Sequence, residues 1–261
     1  MDLQLTGKIV LVTGGAKGIG EGIVRALARE GAIPVIIGRD ENDNRLLLDE
    51  LAAGGHEAMQ VVAELADPEA PAKAVQAAAA RYGRIDGLVN NAGKNDGVGL
   101  ESGNYQAFID SLHKSLVHYY LMAQEALPYL KKSKGSILNI SSKTAETGQG
   151  NTSGYAASNG GRNALTREWA VELLPYGIRV NAIVVAECWT PQYATWIQTL
   201  PDPEAKLASI NRRIPLENRM TTTEEIASTA VFLLSARSSH TTGQLIHVDG
   251  GYVHLDKTIQ D

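Results

Sequence analysis

A chain of 261 residues, 44% hydrophobic and 20% charged, has room for one large domain or two small ones, and its composition argues against disorder, fibrous repeats and a membrane bundle. The 24 Lys and Arg against 29 Asp and Glu leave a net charge of -5, so no overall basic field favours nucleic acid as a partner. Cys188 is the only cysteine, which excludes an internal disulfide and a cysteine cluster for zinc or iron–sulfur. The start MDLQLTGKIVLVTGG lacks the basic region and apolar length of a signal peptide, and no stretch approaches ~18 consecutive apolar residues. A cytoplasmic protein with no membrane contact is expected.

Residues 8–13 form an apolar, β-branched run of the kind buried on both faces of a parallel sheet. After a glycine-rich break, Ile19, Ile23, Ala26 and Leu27 recur at helical spacing to Arg29. The alternation continues: a strand at 33–37, a helix at about 41–53, a strand at 59–62, and an Ala-rich helix to Tyr82 opened by Asp67-Pro68 as cap and first residue. A fourth strand at 85–89 precedes one long helix over 105–130. Then come a strand at 136–140, a helix over 152–174, a strand at 178–185, a helix at 224–235 behind the capping box Thr222-x-x-Glu225, and a last strand at 244–248. Such alternation predicts an α/β fold: one doubly wound parallel sheet, a Rossmann fold, filling residues 1–261 as a single domain. The stretch from about 190 to 213, with three prolines, Trp189, Tyr193 and Trp196, breaks the rhythm and is expected to be a substrate lid.

Thr13-Gly14-Gly15-Ala16-Lys17-Gly18-Ile19-Gly20 lies between the first strand and first helix, where glycines let a pyrophosphate rest on the helix N-terminus. The spacing Thr13, Gly14, Gly18, Gly20 departs from the common dinucleotide fingerprint and resembles the TGxxxGxG motif of the short-chain dehydrogenase/reductase family. The likeness continues in Asn90-Asn91-Ala92-Gly93, in Ser141-Ser142 with Tyr155 thirteen residues later, and in Arg179-Val180-Asn181-Ala182. The resemblance implies a nicotinamide cofactor held by Gly14, Lys17, Gly18, Ile19 and Gly20, by Glu64 and Leu65 after strand three, by Asn91, Ala92 and Gly93, by Tyr155 and Asn159, and by Cys188 and Thr190. At the end of strand two, Gly38 stands where NAD-preferring relatives carry an acid, and Arg39 with Lys17 can meet a 2′-phosphate. NADP is therefore expected over NAD. Asp40 reads either as a helix cap or as an NAD ribose ligand.

The resemblance assigns Ser142 as the hydroxyl that orients the substrate oxygen and Tyr155 as acid/base. The family's lysine falls four residues after the tyrosine, and here that residue is Asn159; the family's supporting asparagine, thirteen residues before Pro128, is Ser115. An ordinary tyrosine has a pKa of about 10, and without a cation to favour the phenolate the rate is expected to fall by ~10² to 10³. Asn159 can hydrogen-bond a ribose but carries no charge. Lys143 is the nearest basic residue in sequence, and a side chain adjacent to Ser142 on a strand end is expected to point away from it. An active enzyme of reduced rate and a non-catalytic NADP(H)-binding protein both remain open.

Within the family the likeness is to sugar dehydrogenases of the L-fucose branch, carried by Asn95-Asp96-Gly97, Ser141 to Ala145, Gly148 to Tyr155, Ala186-Glu187 and Asp249 to Asp256. It implies oxidation of an aldose, with Asn95, Gln149 and Glu187 on sugar hydroxyls and Trp196 or Trp189 over an apolar sugar face. The bland alternative for each is a loop cap or lid packing. The six histidines show no metal-ligand spacing, so no metal is expected. The resemblance also implies a homo-oligomer, dimer or tetramer, through the long helices near 113–131 and 152–174.

Overall fold

The apolar runs become seven strands, β1 (Ile9–Thr13), β2 (Ile33–Gly38), β3 (Met59–Val62), β4 (Gly87–Asn90), β5 (Ser136–Ser142), β6 (Arg179–Val185) and β7 (Leu245–Val248). They pair in parallel in the order β3-β2-β1-β4-β5-β6-β7, in a computed structural model that describes residues 2–256. Helices α1 (Gly18–Arg29), α2 (Glu41–Ala53), α3 (Ala70–Tyr82), α4 (Tyr105–Leu112), α5 (His118–Ser133), α6 (Ser153–Glu172) and α9 (Thr223–Leu234) cover the two faces. Each face has its own apolar core: Val10, Val12 and Ile36 lie on one side with Ile23, Leu27 and Ile226, and Leu11, Val35 and Ile37 on the other with Met122, Ala126 and Leu130. Burial on both faces is why these strands read as continuous apolar runs.

The chain builds outward from β1 to β3, then returns to the other side of β1 with β4. Connections leaving β1 and β4 diverge there and open a crevice at the carboxyl ends of the strands, where such sheets bind ligands.

Two boundaries differ from the sequence reading. Helix α3 starts at Ala70, because Asp67 closes a turn ahead of it: its carboxylate accepts from Glu69 N at 3.0 Å and its carbonyl from Ala70 N at 3.1 Å. Pro71, rather than Pro68, then occupies the first helical turn. The helix expected over 105–130 is broken at His113–Val117 by one π-helical turn between α4 and α5. The cause is tertiary: the guanidinium of Arg162 takes the Ser115 carbonyl (Nε at 2.8 Å), and the Ser115 hydroxyl donates to Lys94 O at 3.3 Å, so this residue leaves the regular ladder.

The capping box at α9 forms as the spacing predicts, with Glu225 N donating to Thr222 Oγ1 (3.2 Å) and Thr222 N donating to Glu225 Oε2 (2.8 Å). The segment expected to be a lid folds into two short helices, α7 (Pro191–Ile197) and α8 (Pro203–Asn211), each with Pro in its first turn. A buried polar ladder fixes α6 on the sheet: Asn90 Nδ2 donates to Asn139 Oδ1 (3.1 Å), and Asn139 Nδ2 donates to Thr166 Oγ1 (2.9 Å). None of the helices among the described residues is long and apolar enough to cross a membrane.

Candidate active site

The glycine turn is braced from behind. Thr13 Oγ1 accepts from Asn91 N (2.9 Å) and Ala92 N (3.0 Å), and the Asn91 side-chain amide donates to Thr13 O (2.9 Å) and Gly14 O (3.1 Å). Gly14 has a φ of +61°, and a Cβ at Gly20 would run into the Gly14 carbonyl, so both positions require glycine. Helix α1 opens behind an extended Lys17 whose side chain makes no cap, which leaves the first-turn N–H groups facing the crevice for an anion. These features fit a pyrophosphate. Ile19, at the start of α1, packs against the core.

The two cations expected at a 2′-phosphate each hold a carboxylate: Lys17 Nζ lies 2.6 Å from Asp43 and Arg39 Nη1 lies 3.6 Å from Glu64. The Asp43 hydrogen bond raises the Lys17 pKa above its ordinary value. Asp40 is a helix cap, accepting from Asn42 N (3.0 Å) and Asp43 N (3.1 Å). Leu65 is buried in the core beside Ala63. Thr190 caps α7 through Tyr193 N (3.2 Å), and its side chain lies where a Cβ on Gly18 would come within 3.3 Å, so the start of α7 packs against the glycine turn. Cys188 is buried in a bridge with Thr221, and burial, with the charges of Glu224 and Glu225, pushes its thiol up to about 12.

Ser142 ends β5, and the Tyr155–Asn159 turn of α6 lies against it. Ser141 Oγ donates to Asn159 O (3.4 Å), and Asn159 Nδ2 reaches Thr144 Oγ1 (3.4 Å), so residues on both sides of Ser142 touch this turn. Asn159 is fully buried and its amide is engaged within the protein: Nδ2 also donates to Tyr155 O (2.8 Å), and Oδ1 accepts from Arg162 Nη1 (2.9 Å). That differs from the open ribose ligand expected of it. Ser115 is likewise buried, inside the π turn, with its carbonyl bound to Arg162.

On the substrate side, Lys143 turns into the protein: it is 7% exposed, ion-paired with Glu187, and its Nζ sits 4.0 Å from the Tyr252 ring centroid. The cause is that β5 ends at Ser142 and Lys143 begins a 3₁₀ turn, so strand alternation no longer governs it. Burial and the Glu187 carboxylate push the Tyr193 phenol above its ordinary pKa. Tyr193 stacks edge-on against Trp196 at 5.1 Å and tilted against Trp189 at 6.0 Å, with both tryptophans half exposed. Asn95 accepts from Gly97 N (3.3 Å) in a local turn, and Gln149 is exposed in the loop ahead of α6.

Three groupings escaped the sequence reading. Arg162 lies seven residues after Tyr155, so counting helical spacing beyond four would have found it. His118, on α5, is buried beside it and is driven down to about 3 by burial and the Arg162 charge. Glu146, His247 and His254, far apart in sequence, bring their ligand atoms within 4.8 Å of one another, with His247 Nε2 3.0 Å from Glu146 Oε2.

Comparison with known proteins bears on this geometry. The family described as Enoyl-(Acyl carrier protein) reductase matches residues 14–253. L-fucose dehydrogenase from Bos taurus is 36% identical over 252 residues, covering 96% of this chain and 91% of its own. The crystal structure of Cj0485 dehydrogenase is 47% identical, covers 99% of both chains and superposes with a TM-score of 0.94. An actinorhodin polyketide ketoreductase crystallised with NADPH is 28% identical, with a TM-score of 0.90 over 95% of this chain and 98% of that one. Relatives that match nearly end to end in sequence and in fold show that the chain belongs to the short-chain dehydrogenase/reductase family.

Proposed function

We propose that the protein is an NADP-preferring sugar oxidoreductase that oxidises an aldose at its anomeric carbon to a lactone. The observation that carries this is the convergence of Ser142 and the Tyr155 turn with a buried ion pair, Lys143–Glu187, under an aromatic lid. Polar groups held in place at the mouth of an apolar, ring-bearing wall suit a polyhydroxylated ring, which needs both hydroxyl partners and a flat surface. The similarity to L-fucose dehydrogenase supports the same substrate class.

The glycine turn and the free N–H groups of α1 would hold the pyrophosphate, Asn91, Ala92 and Gly93 the adjoining ribose, and Lys17 with Arg39 the 2′-phosphate in exchange for Asp43 and Glu64. The cofactor, when bound, would supply the hydride acceptor. The Ser142 hydroxyl orients the sugar oxygen and Tyr155 takes its proton; Glu187 receives a hydroxyl, and Trp189 or Trp196 covers the ring. Asn95 and Gln149 line the approach. Exposed apolar side chains on α5, on α6 and just beyond it (Tyr120, Val171, Leu174) support a homo-oligomer built on these helices.

The test is nicotinamide absorbance with NADP and NAD against a panel of aldoses. Turnover with L-fucose or a related aldose, faster with NADP, is expected; inactivity with every sugar that persists in the Ser115→Asn/Asn159→Lys variant sinks the reading. The second reading, a non-catalytic NADP(H)-binding protein, is favoured by the neutral residue at 159. It requires tight cofactor binding with no turnover at all.

A further inference from the structure

Arg162 is nearly completely buried, 3% exposed, and its contacts are all with neutral groups. Nε donates to the Ser115 carbonyl at 2.8 Å and Nη2 to the same oxygen; Nη1 donates to Ile140 O (3.1 Å) and Asn159 Oδ1 (2.9 Å). Nη2 also lies against Gly93, close enough that a Cβ there would approach it to 2.6 Å. The guanidinium carbon is 4.3 Å from the Tyr119 ring centroid and 6.0 Å from that of Tyr155. Tyr155, Asn159 and Arg162 follow at i, i+4 and i+7, on one face of α6.

A guanidinium keeps its proton in any protein environment, so this is a permanent charge. Three carbonyl-type oxygens satisfy its donors without neutralising it, and a buried charge lacking a counter-ion is costly unless an anion arrives. An anion does arise beside it in the cycle required of Tyr155. The sugar hydroxyl gives its proton to the Tyr155 oxygen as the hydride leaves the anomeric carbon for the nicotinamide, so the phenol form follows from a phenolate that must first exist. The other ionisable groups around this enclosure do not compete. His118 and Tyr119 from α5 are held neutral by burial, and Lys143 and Glu187 beyond Ser142 offset each other.

We propose that Arg162 supplies the positive charge that the family takes from the lysine replaced here by Asn159, and that the π turn at Ser115 exists to present the carbonyl that clamps it. Arg162 is a positioning residue. It acts on the Tyr155 oxygen through space and through the Asn159 amide, which bridges the guanidinium to the Tyr155 carbonyl. The charge of Arg162 then stands in for the one that Asn159 cannot supply. This inference rests on the oxidoreductase reading of the same site.

The test compares the wild-type chain with Arg162→Met, Arg162→Lys and Arg162→Met/Asn159→Lys, reading kcat and KM against pH and cofactor affinity by NADPH fluorescence. Arg162→Met is expected to lower kcat about 10²-fold near neutral pH with KM for the sugar within about threefold, the loss shrinking as pH rises. Arg162→Lys should retain part of the rate, and Arg162→Met/Asn159→Lys should recover to within about tenfold of wild type. An Arg162→Met profile that is lowered equally at every pH, or an unchanged rate, overturns the proposal. If Arg162→Met does not fold, the same two outcomes are read from Arg162→Lys and the double variant, where failure of Asn159→Lys to rescue counts against it. If the wild-type chain turns over no sugar, the functional reading fails, and the charge is still readable. The tyrosinate absorbance difference between each chain and its Tyr155→Phe variant should then move to higher pH when Arg162 is Met, and no movement overturns the role of Arg162.

Discussion

Lys143 and Glu187 form an ion pair that joins the turn after β5 to the segment after β6, with side chains only 8% and 15% exposed. Removing one partner strands a buried charge, which costs about 3 kcal/mol or more, whereas replacing both with apolar groups costs much less. Glu187→Ala is expected to unfold at clearly lower urea concentration than Lys143→Met/Glu187→Leu. Both variants should lose at least about tenfold in kcat/KM for aldoses while NADPH binding holds within about threefold. Equal stability of the two variants would refute the pairing.

Lys17 and Arg39 stand exposed at the edge of the crevice, each paired with a carboxylate. A dianionic phosphate outcompetes a single carboxylate for such cations, by about three- to tenfold per residue at this exposure. Lys17→Ala and Arg39→Ala should therefore weaken NADPH and leave NADH nearly unchanged, with the difference shrinking in high salt. Fluorescence titration with both cofactors decides it; equal loss for the two removes the assignment.

The sheet and the glycine turn were legible because each rests on short-range pattern, apolar runs and glycines at fixed offsets, and the thirteen-residue spacing of Ser142 and Tyr155 pointed to the turn of α6 that lies against the end of β5. The capping box at Thr222 was equally local. What sequence hid was whatever depends on two distant segments meeting. A helical pattern over 105–130 is truthful about periodicity and silent about the turn at Ser115, because the side chain that takes its carbonyl comes from 47 residues away. The partner of Lys143 was hidden in the same way, because Glu187 comes from 44 residues away. The grouping of Glu146, His247 and His254 follows only from the order β5-β6-β7 and the return of the chain after β7.

Burial and two nearby glutamates push the Cys188 thiol up to about 12. Almost no thiolate exists near neutral pH at such a value, so native protein should react with a maleimide or disulfide reagent far more slowly than a free thiol. Labelling should become fast only in denaturant. Rapid labelling of the native chain, followed by mass spectrometry, would contradict this.

Arg219 and Thr222 hold the Glu225 carboxyl down to about 2. A depressed carboxyl supports the fold fully above its unfolded value of about 4.3, and that support fades as pH falls through the folded value. Both Arg219 and Glu225 are partly exposed, so solvent screening keeps the contribution of the pair small. Arg219→Ala should lower stability slightly at neutral pH and progressively less from about pH 5 down to 2. Thr222→Ala, which removes the cap on α9, should cost about 1 kcal/mol. Urea unfolding across this range is the measurement, and a cost for Arg219→Ala that does not change with pH would contradict the account.

The ladder from Asn90 through Asn139 to Thr166 works as a ruler. Its hydrogen bonds add little net stability, but sliding α6 by one turn would take Thr166 away from the buried Asn139 amide and leave that donor unmatched inside the protein. Thr166 sits eleven residues beyond Tyr155, roughly 16 Å along the helix axis. The phenol is thus held in register by chemistry three turns away, and a substitution at Asn139 or Thr166 would show itself as misalignment at a centre it never touches.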